Sequence, residues 1–157
     1  MAELGLNLDF RDLLVALVDA EAEFVLIGGW AMALHGHGRG TDDMDVFVRP
    51  TPENADRVFK ALLDFGAPVA QHGVTVDLFA APKYGYRMGQ RPNLIELLTS
   101  IDGVTFEEAR IDARFFEIDN RRIPYIGRAA LLQNKRAAAR PKDLADVAWL
   151  EANSEEK

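Results

Sequence analysis

The sequence predicts an α/β (α+β) domain, a short mixed β-sheet flanked by helices with a helical pair at its C-terminal end. Three observations carry that prediction. Helix and strand signals alternate along the chain with short connections between them. The runs FVLIG, MDVFV and NLIELLTSI have the aliphatic and β-branched content of buried strands. The C-terminal part holds two helix-forming stretches divided at Arg140-Pro141. With 157 residues, 48% of them hydrophobic and 27% charged, the chain has enough apolar material for one core, so a single domain spanning residues 1–157 is expected.

Taken in order, the elements follow from local chemistry. In DFRDLLVALVDAEAE, Phe10, Leu13, Leu14, Leu17 and Val18 recur at helical spacing, and Asp9 is placed to cap the first turn. FVLIG follows as a strand, and Gly28-Gly29 as the turn from it into a short helix, WAMALHG. MDVFV is the second strand. Thr51-Pro52-Glu53 starts a helix with an apolar face of Val58, Phe59, Leu62 and Leu63, which stops at Gly66. GVTVDLFAAPKYGYRMGQRP mixes turn formers with single aromatics, and reads either as a short helix with a loop or as an irregular hairpin. NLIELLTSI is a core strand interrupted by Glu96, and FFEIDNRRIPYI a hairpin turning at Asp119-Asn120. RAALLQNKRAAA and PKDLADVAWLEAN are helices, with the proline where a first turn tolerates it.

Composition narrows the chemistry. No apolar run approaches the length that spans a bilayer, and MAELGLNLDFRD has neither the basic start nor the apolar middle of a signal peptide. A cytoplasmic protein with no membrane partner is expected. The absence of cysteine excludes disulfides, thiolate metal ligands and a cysteine nucleophile, so a metal has to be held by oxygen or imidazole. A net charge of -7 argues against a broad electrostatic grip on nucleic acid.

Carboxylates in a buried strand need a reason, and Asp43-Met44-Asp45 supplies two. Residues two apart on a strand share a face and lie roughly 7 Å apart, so Asp43 and Asp45 project together while Met44 and Val46 face the core. Glu96, between Ile95 and Leu97, projects from another buried strand; if the two strands are neighbours the three acids converge. Such a cluster repels itself unless cations intervene. An all-oxygen ligand set suits Mg²⁺ or Mn²⁺, which keep waters and bind substrate phosphates. The Gly28-Gly29 turn, with a helix behind it, lets a phosphate approach backbone N–H groups. Asp42 faces away from Asp43 as a solvated residue, and Asp77 in VTVDLF competes with Glu96 for the third position, with Glu96 favoured by its apolar strand. His35 and His37 are metal ligands by type, but histidines beside glycines are more commonly hydrogen-bonded loop residues.

Gly28-Gly29, then HGHGRGTDDMDV with His35, Gly36, Arg39, Thr41, Asp43 and Asp45, then Ile95-Glu96-Leu97, resembles the nucleotidyltransferase superfamily of DNA polymerase β-like fold. Within it the likeness is to small bacterial and archaeal nucleotidyltransferases related to toxin components of abortive-infection systems. LTSIDGVTFEEA and NKRAAARPKDLADVAWLE are similar to later segments of that group, so the resemblance runs from about Phe24 to Glu151. It implies the nucleotidyltransferase fold and transfer of a nucleoside monophosphate from an NTP, with pyrophosphate leaving. Asp43, Asp45 and Glu96 would be the metal-binding and catalytic acids, Glu96 helping to activate the acceptor hydroxyl. Gly28, Gly29, Arg39, Thr41, Lys135 and Asp143 would bind nucleotide. For Lys135, the apolar stripe of Leu131 and Leu132 lets its stem follow the core edge while its ammonium reaches the site from the rim; a solvated helical face is the plainer reading of the same charges.

Three departures stand out. Trp30 occupies the place of a common serine, the third acid is glutamate rather than aspartate, and the chain is too short for a separate acceptor-selecting domain. The expected cofactor is Mg²⁺ or Mn²⁺. The expected partners are an NTP and an acceptor drawn from RNA, protein or small molecules, with a second copy or a partner protein completing acceptor choice. The alternative is a degenerate member of a toxin–antitoxin-like system that binds nucleotide or a partner without turnover.

Overall fold

The structure, a computed structural model, describes residues 6–38 and 41–153. The strands are β1 (Phe24–Ile27), β2 (Asp43–Val48), β3 (Gly85–Met88), β4 (Leu94–Leu98), β5 (Arg114–Ile118) and β6 (Arg121–Tyr125). The α-helices are α1 (Leu8–Asp19), α2 (Gly28–Leu34), α3 (Pro52–Phe65), α4 (Phe106–Ile111), α5 (Arg128–Ala138) and α6 (Pro141–Ala152). The six strands form one sheet in the order β3-β4-β2-β1-β6-β5. At its centre β2 runs antiparallel to β1 and parallel to β4, and β1 runs parallel to β6. Antiparallel partners close both edges. The expected mixed sheet flanked by helices, with a helical pair at the end, is what forms.

Alternation along the central strands divides the apolar residues between two cores. Phe24 and Leu26 of β1, Met44, Val46 and Val48 of β2, and Ile95 and Leu97 of β4 point to one side, against Phe10, Leu13, Leu14 and Leu17 of α1 and Val58 and Leu62 of α3. Val25, Ile27 and Phe47 point to the other, against Phe106 of α4, Leu131 and Leu132 of α5, and Val147 and Leu150 of α6. With both faces covered, the period-two register is fixed: a one-residue slip would exchange every side chain between the two cores.

Local signals explain most boundaries. Thr51 caps α3 by accepting a hydrogen bond from the Asn54 backbone N–H, and Gly66 ends it at φ 93°. Asp119 and Asn120 both take positive φ, 49° and 66°, at the turn between β5 and β6. The cap of α1 is Asn7, whose side chain accepts from the Phe10 N–H, rather than Asp9, which lies in the first turn and complements the helix dipole there. The ambiguous segment resolves into a 3₁₀ turn at Val76–Ala80 followed by β3, which is held by pairing with β4. Helix α4, opened by a Thr105–Glu108 capping box, is a further element. Among the described residues, no helix is long and apolar enough to cross a membrane.

Candidate functional site

The parallel pairing of β2 with β4 sets Asp45 beside Glu96, with Asp43 one strand repeat earlier on the same face. Neighbouring strands lie about 4.8 Å apart and residues two apart about 7 Å, so the three carboxylates occupy one small region of the sheet. All three are half-buried, whereas Met44, Ile95 and Leu97 face the opposite core. They line one cleft of ≈ 450 Å³ together with Gly28, Gly29 and Thr41. Asp77 is not among its walls; it is exposed on the 3₁₀ turn, accepting a 2.7 Å hydrogen bond from the Thr75 hydroxyl. Asp42 is exposed at the cleft mouth.

The two glycines have a specific use here. A Cβ on Gly28, which sits at φ 70°, would lie 2.6 Å from Asp45 Oδ2, and one on Gly29 would lie 2.8 Å from Thr41 Oγ1. Both positions are therefore closed to any side chain, the acid and the hydroxyl standing where a Cβ would be, while the two glycines remain part of the cleft wall. Thr41 in turn donates to Asp43 Oδ1 at 3.1 Å and to the Asp43 carbonyl at 3.0 Å, fixing that carboxylate. Trp30 points away from the cleft into the first core, edge-on to Phe10. His35 Nε2 is 2.8 Å from the Ile126 carbonyl and His37 stacks on Trp149; neither lines the cleft. Arg39 lies outside the described residues.

The opposite wall comes from α5 and α6. Lys135, expected at the rim, is instead 5% exposed. Its ammonium pairs with Asp146 at 2.9 Å and Asp143 at 3.5 Å, both carboxylates being buried. The physical reason is the antiparallel return of α6, which lays Asp143 and Asp146, three residues apart, alongside α5. Arg140 completes the cluster, its Nε and Nη2 donating to Asp143 at 2.6 and 3.2 Å. Burial works against the Asp143 carboxylate, but hydrogen bonds from Arg140 and the charges of Arg140 and Lys135 outweigh it, holding its pKa below the ordinary range. Sequence reasoning missed Asp146, although an acid in register with Val147 and Leu150 was a readable signal.

Lys142 and Arg140 are the exposed cations on this wall, and the Lys142 charge acts on Asp45 more strongly than that of Lys135. Arg91 and Arg87 stand at the cleft edge, 3.8 Å from Asp43 and 3.9 Å from Glu96. Neither was legible in the sequence, because their approach depends on β3 pairing beside β4.

Burial and then the like charges of Asp43 and Glu96 raise the Asp45 pKa to about 6, with Lys142 and Lys135 offsetting only part of the effect. The carboxylates line the cleft without closing about a single point. An all-oxygen donor set, held on adjacent strands and in electrostatic conflict, fits a hard divalent cation such as Mg²⁺ or Mn²⁺. No family model matches the chain, and no curated protein matches it.

Proposed function

We propose that the chain is a Mg²⁺-dependent nucleotidyltransferase of the polymerase β-like group, moving a nucleoside monophosphate from an NTP to an acceptor hydroxyl. The observation that supports this best is the register Asp45–Glu96 across β2 and β4, with Asp43 on the same face, in a cleft whose far wall carries Lys135, Arg140 and Lys142. Asp43, Asp45 and Glu96 hold the metal, which when bound neutralises polyphosphate charge. Glu96 accepts the acceptor's proton as its oxygen bonds to the α-phosphorus, and the electron pair of the broken P–O bond leaves with pyrophosphate. Lys142, exposed and facing the acids, is the ammonium best suited to the phosphates, while Lys135, held by two carboxylates, shapes the wall behind it.

A second reading, nucleotide binding without turnover in a toxin–antitoxin-like setting, draws support from the carboxylates, which line the cleft without closing about a single point. Calorimetry with Mg²⁺ and each NTP, beside a pyrophosphate-release assay over RNA ends, protein hydroxyls and small alcohols, separates the two. Transfer predicts binding that needs Mg²⁺ and Asp43, followed by pyrophosphate release. Binding with no release selects the second reading, nucleotide binding unchanged by chelator or by Asp43→Asn would sink the transfer reading, and no nucleotide binding under any condition would sink both.

A further inference from the structure

A second cavity of ≈ 400 Å³ opens beyond the carboxylates on the same face of the sheet, and Ser100 and Ile101 belong to the walls of both. The connection is built into the strands: Phe47 follows Asp45 at one strand repeat, about 7 Å on, and Ser100 follows Glu96 at two. The walls change character over that distance. The first cleft is lined by acids and cations, whereas here Pro50, Pro82, Ile101 and Val104 share the lining with Phe47 and Phe106. Its volume is that of a small-molecule site.

The polar groups of this cavity are particular. Arg49 lies over the Phe106 ring at 4.7 Å and is bound by Glu23, at 2.8 Å, and by Glu107. Its charge is already matched by two carboxylates, so nothing here attracts a phosphate. Of four hydroxyls in the lining, Thr99 donates to the Tyr84 carbonyl and the other three only accept: Thr51 from the Asn54 N–H, Ser100 from the Lys83 N–H, and Thr105 from the Glu108 N–H. Each of these three has its own proton left to donate, because none of them donates a hydrogen bond within the described residues. A hydroxyl with one lone pair engaged and its proton free recognises an oxygen acceptor on a ligand.

We propose that this cavity is the acceptor subsite of the transfer reaction, and that it takes a small, phosphate-free compound whose reacting hydroxyl stands at the end of an arm from a largely apolar ring. This rests on the nucleotidyl-transfer reading. The ring lies between the prolines and Ile101, an oxygen on it receives the Thr or Ser protons, and the arm carries the reacting hydroxyl past Ser100 to Glu96, a span of about two strand repeats. That oxygen loses its proton to the Glu96 carboxylate and bonds to the α-phosphorus, while the bond to the departing pyrophosphate breaks.

The probe is 4-hydroxyphenylacetamide, a neutral phenol, with 4-hydroxyphenyl phosphate as the charged comparison. Binding is followed by amide chemical shifts in the full chain without nucleotide. The neutral phenol should bind with a Kd of about 1 mM or tighter, shifting Ile101, Val104 and Thr105, and the phosphate ester about ten-fold more weakly. Val104→Phe, which fills the cavity, should weaken the phenol about ten-fold; its Mg²⁺–NTP titration reports whether the neighbouring cleft is intact. No binding of the phenol to the unaltered protein, shifts confined to β2 and β4 around the acids, or tighter binding of the phosphate ester would each overturn the proposal. Failure of Mg²⁺–NTP binding with the phenol still seated in this cavity would instead overturn the transfer reading and leave an unassigned ring-binding site.

Discussion

Two groups of charges face each other across the main cleft, and they have opposite characters. On the strand side, Asp43, Asp45 and Glu96 are half-buried like charges, and one of them has its pKa raised to about 6. On the helix side, Asp143 and Asp146 are held by Arg140 and Lys135 at 2.6 and 2.9 Å. On the strand side, among the described residues, only the exposed Arg91 and Arg87 approach Asp43 and Glu96, at 3.8 and 3.9 Å, and the field of the neighbouring acids on Asp45 is only partly offset. Burying charge is costly in either place. The helix cluster offsets that cost internally and so acts as a piece of the core, whereas the strand cluster leaves its repulsion for a ligand to relieve. Charge in a cleft is thus informative about function according to whether it is compensated, more than according to how much of it there is.

The contrast can be broken most strongly at Lys135. Removing it takes the ammonium from buried Asp146 and one of two cations from buried Asp143, so Lys135→Ala should cost about 3–5 kcal/mol in urea unfolding. Lys135→Met combined with Asp146→Leu should recover much of the loss, since the acid nearest the ammonium goes with it. A cost below about 1 kcal/mol for the single change, in the range of exposed pairs, would show that the helix cluster is not part of the core.

At Asp45 the sign reverses. In the metal-free fold its carboxyl holds a proton up to about pH 6, against an ordinary value of 3.8. The folded state therefore binds more protons than the unfolded chain between those values, and stability falls as pH rises through that window. Asp45→Asn should raise unfolding free energy above pH 6 by up to about 3 kcal/mol, and by almost nothing below pH 4. Urea titrations with chelator at pH 4, 6 and 8 check this; the same variant should lose Mg²⁺-dependent nucleotide binding. A variant less stable than wild type at pH 8 would mean that the acid is structural.

Glu96 separates the two roles within the strand cluster. Glu96→Gln should lower pyrophosphate release by about 10²-fold while moving the NTP Kd by no more than about three-fold. Asp77→Asn, on the exposed 3₁₀ turn, should change neither. If activity follows Asp77 instead, the third acid lies there. The smallest effect belongs to a pair outside both clusters: Lys60 and Asp64 meet at 2.7 Å on the open face of α3, and Lys60→Ala should cost less than about 0.5 kcal/mol. Thermal melts comparing it with Lys135→Ala calibrate what burial adds to an ion pair.

Much of the strand cluster was legible in the sequence because it depends on short-range periodicity. Asp43 and Asp45 share a face in any strand, and an acid between Ile95 and Leu97 advertises itself. The hairpin at Asp119-Asn120 and the limits of α3 were readable for the same reason, each from the conformational needs of one or two residues. The helix cluster was not legible as a cluster. Lys135 meets Asp146 only because α6 folds back on α5, and a lysine that looks solvated on its own helix becomes buried by another. Arg87 and Arg91 were missed likewise, since β3 is a four-residue strand whose existence depends on β4. Asp9 and Asn7 are both competent caps, and the cap falls two residues earlier than the sequence alone suggests.

The pairing of Asp45 with Glu96 also makes the sheet a check on its own assembly. A chain that joined β2 to β4 one residue out of step would carry Glu96 to the α1–α3 side and lose the carboxylate cluster in the same event that misplaces Ile95 and Leu97. Errors of strand alignment and errors of site chemistry are then one error, so folded molecules with a sound interior and a scrambled set of acids should not accumulate. On the proposed metal-binding reading, a refolding preparation should be gradable by divalent-ion titration, the fraction that takes up the ion counting the molecules whose central strands met in the right phase.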